Sequence, residues 1–210
     1  MIRLTRRALL PSLTAAALVA FKPVRAQPDG DLGQPLTKLY AGLEAAMRAG
    51  STTSFAERFK ALAPAVDGAF DLPTVLKVSV GLRWDSMNPA DQARLIEAFR
   101  RFTIATYVAN FDKYDGERFQ VLPGARDLGA DRVVQTEIVS ATGDRIRLDY
   151  VMRDDAGVWK AVDVLLDGSI SRVAVQRSDF RKILARGDAD ALIDSLRRKI
   201  VDLSNGALKS

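Results

Sequence analysis

Carboxylates are the side chains of this sequence most able to do chemistry, and one of them stands in an unusual place. Asp163 is an acid inside Val158–Leu166, a segment that is apolar apart from this residue and one lysine. A carboxylate in an apolar setting, close to a tyrosine such as Tyr150, can serve as a general base. The alternative is an outward-facing acid that pairs with one of three arginines: Arg147, Arg172 or Arg177. The sequence leaves both interpretations open.

Two other groups of charges could form sites. Asp154 and Asp155 are adjacent carboxylates in a predicted turn, which is either a solvated loop or a metal or acid–base site. A basic set recurs at helical spacing and could accept a phosphate or dock a partner, or could simply be a solvated helix face. Its members are Arg177, Arg181, Lys182 and Arg186.

The residue types that are missing exclude whole classes of site. The sequence has no His and no Cys. It therefore has no Ser-His-Asp triad, no imidazole base, no thiol nucleophile, no zinc finger and no disulfide. It also lacks a glycine-rich phosphate loop. We expect no cofactor and no metal.

The positive charge belongs to the first 26 residues. The chain has 31 Lys and Arg against 26 Asp and Glu, a formal charge of +5. Five of the basic residues and none of the acids precede Gln27, so the remainder is balanced at 26 against 26. A polyanion such as nucleic acid is therefore not indicated as a partner.

The same 26 residues have the organisation of a secretory signal peptide. A basic segment, Met1–Arg7, precedes an apolar one, Ala8–Phe21, which is too short to span a bilayer. Val24–Ala26 then places small residues at the positions that a signal peptidase reads, which predicts cleavage after Ala26. Thr5–Leu10 also resembles a twin-arginine export signal. We expect residues 27–210 to be one domain that is exported, which in a bacterium with two membranes means the periplasm.

The apolar periodicity changes from helix to strand near the middle of the chain. Amphipathic helices are predicted before residue 112, including one that starts at Asn88 and ends near Phe111, and two more at the C-terminal end. Pro64 is expected to interrupt the second helix. The predicted strands are Glu117–Leu122, Arg132–Ala141, Arg145–Arg153 and Val158–Leu166. The expected fold class is α+β: a bent antiparallel sheet of four to five strands, in an NTF2-like or cystatin-like cone, covered by the N- and C-terminal helices.

Four short motifs, in order, resemble the toluene-tolerance family, the periplasmic lipid-binding component of the Mla (maintenance of lipid asymmetry) transport system. They are Gly81–Trp84, Phe102–Tyr107, Trp159–Val164 and Arg177–Phe180. The similarity runs from about Leu36 to Val201. A further segment, 111–119, resembles the branch of the family that is associated with hopanoid biosynthesis.

The resemblance implies a lipid carrier rather than an enzyme, with an apolar cavity between the sheet and its helices. It implies transient contact with membranes, an inner-membrane ABC permease complex as a partner, and an outer-membrane lipoprotein complex as a further candidate. Inward strand positions and the aromatic stripe of the Asn88 helix are the expected lipid-binding residues. They are Val75, Phe99, Phe102, Tyr107, Val134, Ile138, Ile146, Leu148, Tyr150, Met152, Val162, Val164, Ile170 and Val173.

Two alternatives stay open at the level of sequence. One is a small enzyme on a cone-shaped sheet, with Asp163 as its general base. The other is a non-catalytic interaction domain whose core is filled, in which case no cavity would lie behind Ile146–Met152.

Overall fold

The structure, a computed structural model, describes residues 29–209. The predicted signal peptide lies outside the described residues. Four helices come first, then a sheet, then two more helices. The helices are α1 (Asp29–Ala49), α2 (Phe55–Ala69), α3 (Leu72–Val80), α4 (Pro89–Asn110), α5 (Arg172–Leu184) and α6 (Ala189–Leu203).

Polar side chains fix the starts of α2, α3 and α4, as their sequence signatures predict. The Ser54 hydroxyl accepts from the backbone N–H of Glu57, whose carboxylate accepts in return from the N–H of Ser54. Asp71 caps α3 by accepting from the N–H of Thr74 at 3.1 Å. Asn88 caps α4 in the same way, accepting from the N–H of Asp91 at 2.9 Å. The predicted start and end of α4 are confirmed.

The predicted interruption at Pro64 is wrong, because α2 runs through it. The proline ring points to solvent, while Leu62 and Val66 on the opposite side of the helix are buried. Proline removes one backbone hydrogen bond, and the burial of this apolar face outweighs that loss.

All strand pairings in the described part of the chain are antiparallel. The sheet order is β1-β3-β4-β5-β6, and β2 also pairs with β3 beside β1. The strands are β1 (Arg118–Val121), β2 (Arg126–Leu128), β3 (Asp131–Val139), β4 (Arg145–Asp155), β5 (Val158–Leu166) and β6 (Ile170–Ser171). Four of them match the predicted strands, and the short β2 and β6 bring the number of strands within residues 29–209 to six.

A β-bulge bends the centre of the sheet. Val151 pairs with Asp163 and Met152 pairs with Ala161, which leaves Val162 without a partner in β4. Such an extra residue bends a strand and increases its local twist. Curvature of this kind gives the sheet a hollow face, which the helices cover.

The core lies between that face and the helices. It joins Leu36, Leu39 and Leu43 of α1 to Tyr150 of β4 and to the apolar faces of the other helices. A separate cluster of Val133, Val151 and Val162 occupies the other face of the sheet. None of the helices described is both long and apolar enough to cross a membrane. The α+β class, an antiparallel sheet flanked by helices, is confirmed.

Candidate functional site: a cavity behind the sheet

A cavity of about 440 Å³ lies between the hollow face of the sheet and the helices. This volume is in the range of ligand pockets, about 300–1,000 Å³. Leu148, Val164 and Leu166 form its sheet wall, while α4 and α5 form the opposite side. The alternative of a filled core is therefore wrong: a cavity lies behind Leu148 and Tyr150 of β4.

Aromatic side chains of α4 form much of the wall. Phe99, Phe102, Tyr107 and Phe111 all line the cavity. The hydroxyls of Thr103 and Thr106 also lie along it, and each donates back to a carbonyl one turn earlier, at 3.0 and 2.8 Å. Since these donors are already used within the helix, the α4 wall offers an apolar surface to a ligand.

Three tyrosines make a polar spot in the inner wall. The hydroxyl of Tyr40 lies 2.6 Å from Oγ1 of Thr136 and 3.3 Å from the hydroxyl of Tyr150. Thr136 in turn donates to the carbonyl of Leu148 at 2.7 Å. Tyr107 completes the set, and its ring packs against Phe70. Buried hydroxyls that bond to one another satisfy their polar groups without exposing a charge.

Burial moves the pKa of these tyrosines further above neutral pH. It raises the pKa of Tyr150 well above the usual value, and it is also the main cause of the raised pKa of Tyr107. The pKa of Tyr40 is raised by burial too, although its hydrogen bonds to Thr136 and Tyr150 act in the opposite direction. A raised tyrosine pKa means that the neutral phenol persists to higher pH. The inner wall therefore carries no charge from these groups at neutral pH.

The exposed lining residues mark where the cavity opens. They lie at the end of α4, in the first two turns of α5, and on α6. They are Asn110, Arg172, Val175, Asp179 and Lys199. The mouth is thus polar and charged, whereas the interior is apolar with neutral hydroxyls.

Eight of the fourteen side chains predicted to bind lipid come together on the cavity wall. They are Val75, Phe99, Phe102, Tyr107, Leu148, Tyr150, Val164 and Val173. The other six lie elsewhere in the fold.

Three physical reasons explain those six positions. The sheet extends beyond the cavity, so Val134, Ile138 and Met152 are buried without lining it. The bulge turns Val162 into the cluster on the other face. Ile146 and Ile170, each 51% exposed, lie near the end of the sheet, outside the lining.

Asp163 is engaged in holding α5 rather than paired with an arginine. One carboxylate oxygen accepts from the N–H of Val164 at 2.7 Å and from that of Val173 at 3.1 Å. The other accepts from the hydroxyl of Ser171. A carboxylate at a helix N-terminus stabilises the helix through its dipole and its free N–H groups. The alternative of a pairing with Arg147, Arg172 or Arg177 is wrong, because the contacts of Asp163 are with Ser171 and the backbone of Val164 and Val173. Arg147 binds the buried Asp149 instead, through two bonds of 2.8 Å.

The other charged candidates lie outside the cavity. Asp154 and Asp155 are exposed at the end of β4, and Asp154 accepts from the N–H of Gly157. Among the residues described, no three acidic side chains are grouped closely enough to hold a metal ion. The basic set on α5 faces solvent, where Lys182 pairs with Asp179 at 3.2 Å.

Several lining residues were missed by sequence reasoning, notably Tyr40, Phe70, Arg172 and Lys199. In the sequence, Tyr40 and Phe70 have the spacing of ordinary apolar core residues in a helix and at a helix junction, so nothing indicates a cavity there. Lys199 follows the buried Leu196 by three positions on α6, so it flanks the apolar stripe of that helix. This position beside the apolar stripe is the sequence feature that could have indicated Lys199 as a lining residue.

Comparison with known proteins decides the family. The family model described as MlaC protein matches residues 40–198, which is most of the chain. This chain belongs to the MlaC family. The membership confirms the resemblance to the Mla lipid-binding component seen in the four motifs.

A solved structure shares the MlaC fold described above. It is a phospholipid-binding protein from Ralstonia solanacearum, in complex with a phospholipid. The two are 17% identical with a TM-score of 0.70, and the match covers 83% of this chain and 99% of the other. No curated protein matches the sequence significantly.

Proposed function

We propose that this MlaC-family chain is a periplasmic lipid carrier. It encloses the apolar chains of a phospholipid, or of a hopanoid-like polycyclic lipid, and moves the lipid between membranes. The observation that carries the proposal is the cavity of about 440 Å³, which is largely apolar inside and has polar and charged side chains among its exposed lining residues. A protein of the same fold, from R. solanacearum, has been captured with a phospholipid.

The energetics of lipid transfer explain why such a cavity is needed. Removing a methylene from water is worth about 0.8 kcal/mol, so a 16-carbon chain is worth on the order of 12 kcal/mol. A lipid crosses an aqueous space only when a protein shields its chains. The shielding must be comparable to that of a membrane, because a carrier that held the lipid far more tightly would not release it. Smooth walls such as Leu148, Val164 and the α4 aromatics supply shielding without many directed bonds.

The partners follow from the family. We propose that the carrier acts as the substrate-binding component of an ABC-type lipid transport system. Its inner-membrane partner would be the permease complex, and its partner at the outer membrane would be a lipoprotein complex. Export through the predicted signal peptide, with cleavage after Ala26, would place the carrier between them.

Native mass spectrometry tests the proposal directly. We expect protein purified from a bacterial host to carry lipid, and extraction of that lipid to identify phospholipid or a polycyclic lipid. Repeated recovery of lipid-free protein that also takes up no labelled lipid would overturn the proposal.

A pair of matched variants tests whether the cavity is the binding site. Val164→Trp puts a large side chain into the cavity from β5 and should abolish lipid uptake while the protein stays folded. Val158→Trp makes the same change on the same strand, at a residue that is 56% exposed and outside this cavity. It should leave uptake unchanged. Equal uptake by both variants, in protein with native circular dichroism, would place the lipid elsewhere.

A further inference from the structure

Four charged side chains, two of each sign, line the cavity. The acids are Asp163 and Asp179, and the bases are Arg172 and Lys199. Formally these charges cancel. What a ligand meets depends on which of them are already bound by the protein itself.

The two carboxylates are engaged. Asp163 accepts hydrogen bonds from Ser171 and from the backbone of Val164 and Val173. Asp179 forms an ion pair with Lys182, with 3.2 Å between nitrogen and oxygen. Their capacity to attract a further cation is correspondingly reduced.

The two cations are not engaged in this way. Among residues 29–209, the side chains of Arg172 and Lys199 make neither a hydrogen bond nor an ion pair. The Lys199 ammonium lies 5.6 Å from the centroid of the Phe102 ring, which itself lines the cavity. Arg172 is the first residue of α5 and lies close enough to the Tyr107 hydroxyl to act on it electrostatically. Both positive charges therefore lie at the edge of an apolar space.

This arrangement suits a ligand with an apolar body and an anionic group at one end. A guanidinium presents paired N–H donors that match two oxygens of a phosphate, and an ammonium adds a compact positive charge. We propose that Arg172 and Lys199 bind the phosphate of a lipid whose chains occupy the cavity. The proposal rests on the proposed function and narrows it, because the carrier then favours phosphate-bearing lipids over uncharged lipids with the same chains.

A competition experiment tests the assignment. The full exported chain, stripped of lipid, is offered an equimolar mixture of dioleoyl phosphatidylglycerol and dioleoylglycerol in detergent, and the bound ratio is read by native mass spectrometry. The unmodified protein should prefer phosphatidylglycerol. In the double variant Arg172→Gln/Lys199→Gln, this preference should fall about a hundred-fold, since each of the two charged contacts removed corresponds to roughly a factor of ten. Binding of dioleoylglycerol should stay unchanged.

A matched control separates a local contact from general charge attraction. Arg181→Gln/Arg198→Gln removes one cation from α5 and one from α6, as the test variant does. Both residues are exposed and neither lines the cavity. This control should keep the full preference. An equal fall in the control would overturn the proposal, because the effect would then come from net charge alone.

Inorganic phosphate distinguishes a lipid headgroup from a free anion. Added phosphate should not displace bound dioleoylglycerol, and at constant ionic strength it should compete only weakly with phosphatidylglycerol, whose chains supply most of the affinity. Strong binding of inorganic phosphate to the empty protein would instead assign the two cations to a free-phosphate site and overturn the proposal.

The remaining outcomes separate this proposal from the proposed function. If the double variant binds both lipids more weakly by the same factor, the two residues shape the cavity and do not bind the phosphate. If it keeps its preference, the phosphate is bound elsewhere. Either result overturns the assignment while lipid carriage stands. Failure of the unmodified protein to bind any lipid would overturn the proposed function itself.

Discussion

Asp163 shows how one side chain can look catalytic in the sequence and structural in the fold. An acid within an apolar strand is typical of a general base. In the structure, however, its two oxygens accept hydrogen bonds from the Ser171 hydroxyl and from the backbone N–H groups of Val164 and Val173. These contacts tie β5 to the start of α5. Because α5 is one wall of the cavity, the carboxylate positions that wall.

We expect Asp163→Asn to destabilise the fold without impairing lipid binding by the folded protein. The loss of charged hydrogen bonds at the start of α5 should lower the free energy of unfolding by about 1–3 kcal/mol. Urea unfolding measures this, and lipid uptake is scored per folded molecule. Asp155→Asn, at an exposed position at the end of β4, is the control and should change neither quantity. Full stability with loss of lipid uptake, or of a newly found reaction, would contradict the structural role.

At the scale of elements, a glycine lies at the contact between α1 and α2. A Cβ added at Gly42 of α1 would lie 2.9 Å from the Cβ of Ala65 and 3.3 Å from Leu62 in α2. No real Cβ approaches another atom so closely, and backbone on both sides limits relaxation. The two helices therefore pack as closely as they do because residue 42 has no side chain.

We expect Gly42→Val to separate α1 from α2 and lower the free energy of unfolding by about 1–3 kcal/mol, through overpacking. Gly68→Ala is the matched control, since a Cβ there meets no atom within 4 Å. Alanine at this helical position should raise stability by about 0.5–1 kcal/mol. Chemical denaturation of the two variants side by side measures the expected loss of stability in Gly42→Val and the expected gain in Gly68→Ala. A stable Gly42→Val protein would show that the helix contact can adjust.

Local signals predicted the elements well, and longer-range effects limited the prediction of the site. Asn88 and Asp71 begin helices because a cap depends on residues only three apart. The predicted break at Pro64 is wrong because the burial of one side of α2 keeps the helix continuous, and that burial depends on the rest of the fold. Val162 was predicted to line the cavity because side chains alternate between the two faces of a strand. This alternation fails at a β-bulge, which only the pairing with β4 reveals. Arg172 and Lys199 line the same cavity through the tertiary packing of α5 and α6, and no spacing in the sequence indicates this.

At the scale of the whole molecule, the cavity makes stability depend on the ligand. A ligand that binds only the folded state stabilises it by an amount that grows with its concentration relative to Kd, about 2.7 kcal/mol at 100 times Kd. We therefore expect lipid-stripped protein to unfold at a lower temperature than protein reloaded with dioleoyl phosphatidylglycerol. Calorimetry of both forms measures the difference.

The Val164→Trp variant serves as the control for this effect. With its cavity occupied by the added side chain, it should show the same Tm with and without lipid. A lipid-dependent rise in Tm that persists in this variant would indicate stabilisation by contact with the outside of the protein.

The position of the mouth has a consequence for the direction of traffic. Among the described lining residues, the exposed ones lie at the end of α4, at the start of α5 and on α6. In the proposed carrier, a lipid that enters the cavity past these residues would leave by the same route. Loading and unloading are then the same event run forwards and backwards, so the carrier favours neither. For the proposed carrier, net flux would then be set by the chemical potential of the lipid in the two membranes, and by any energy that a partner spends at one of them.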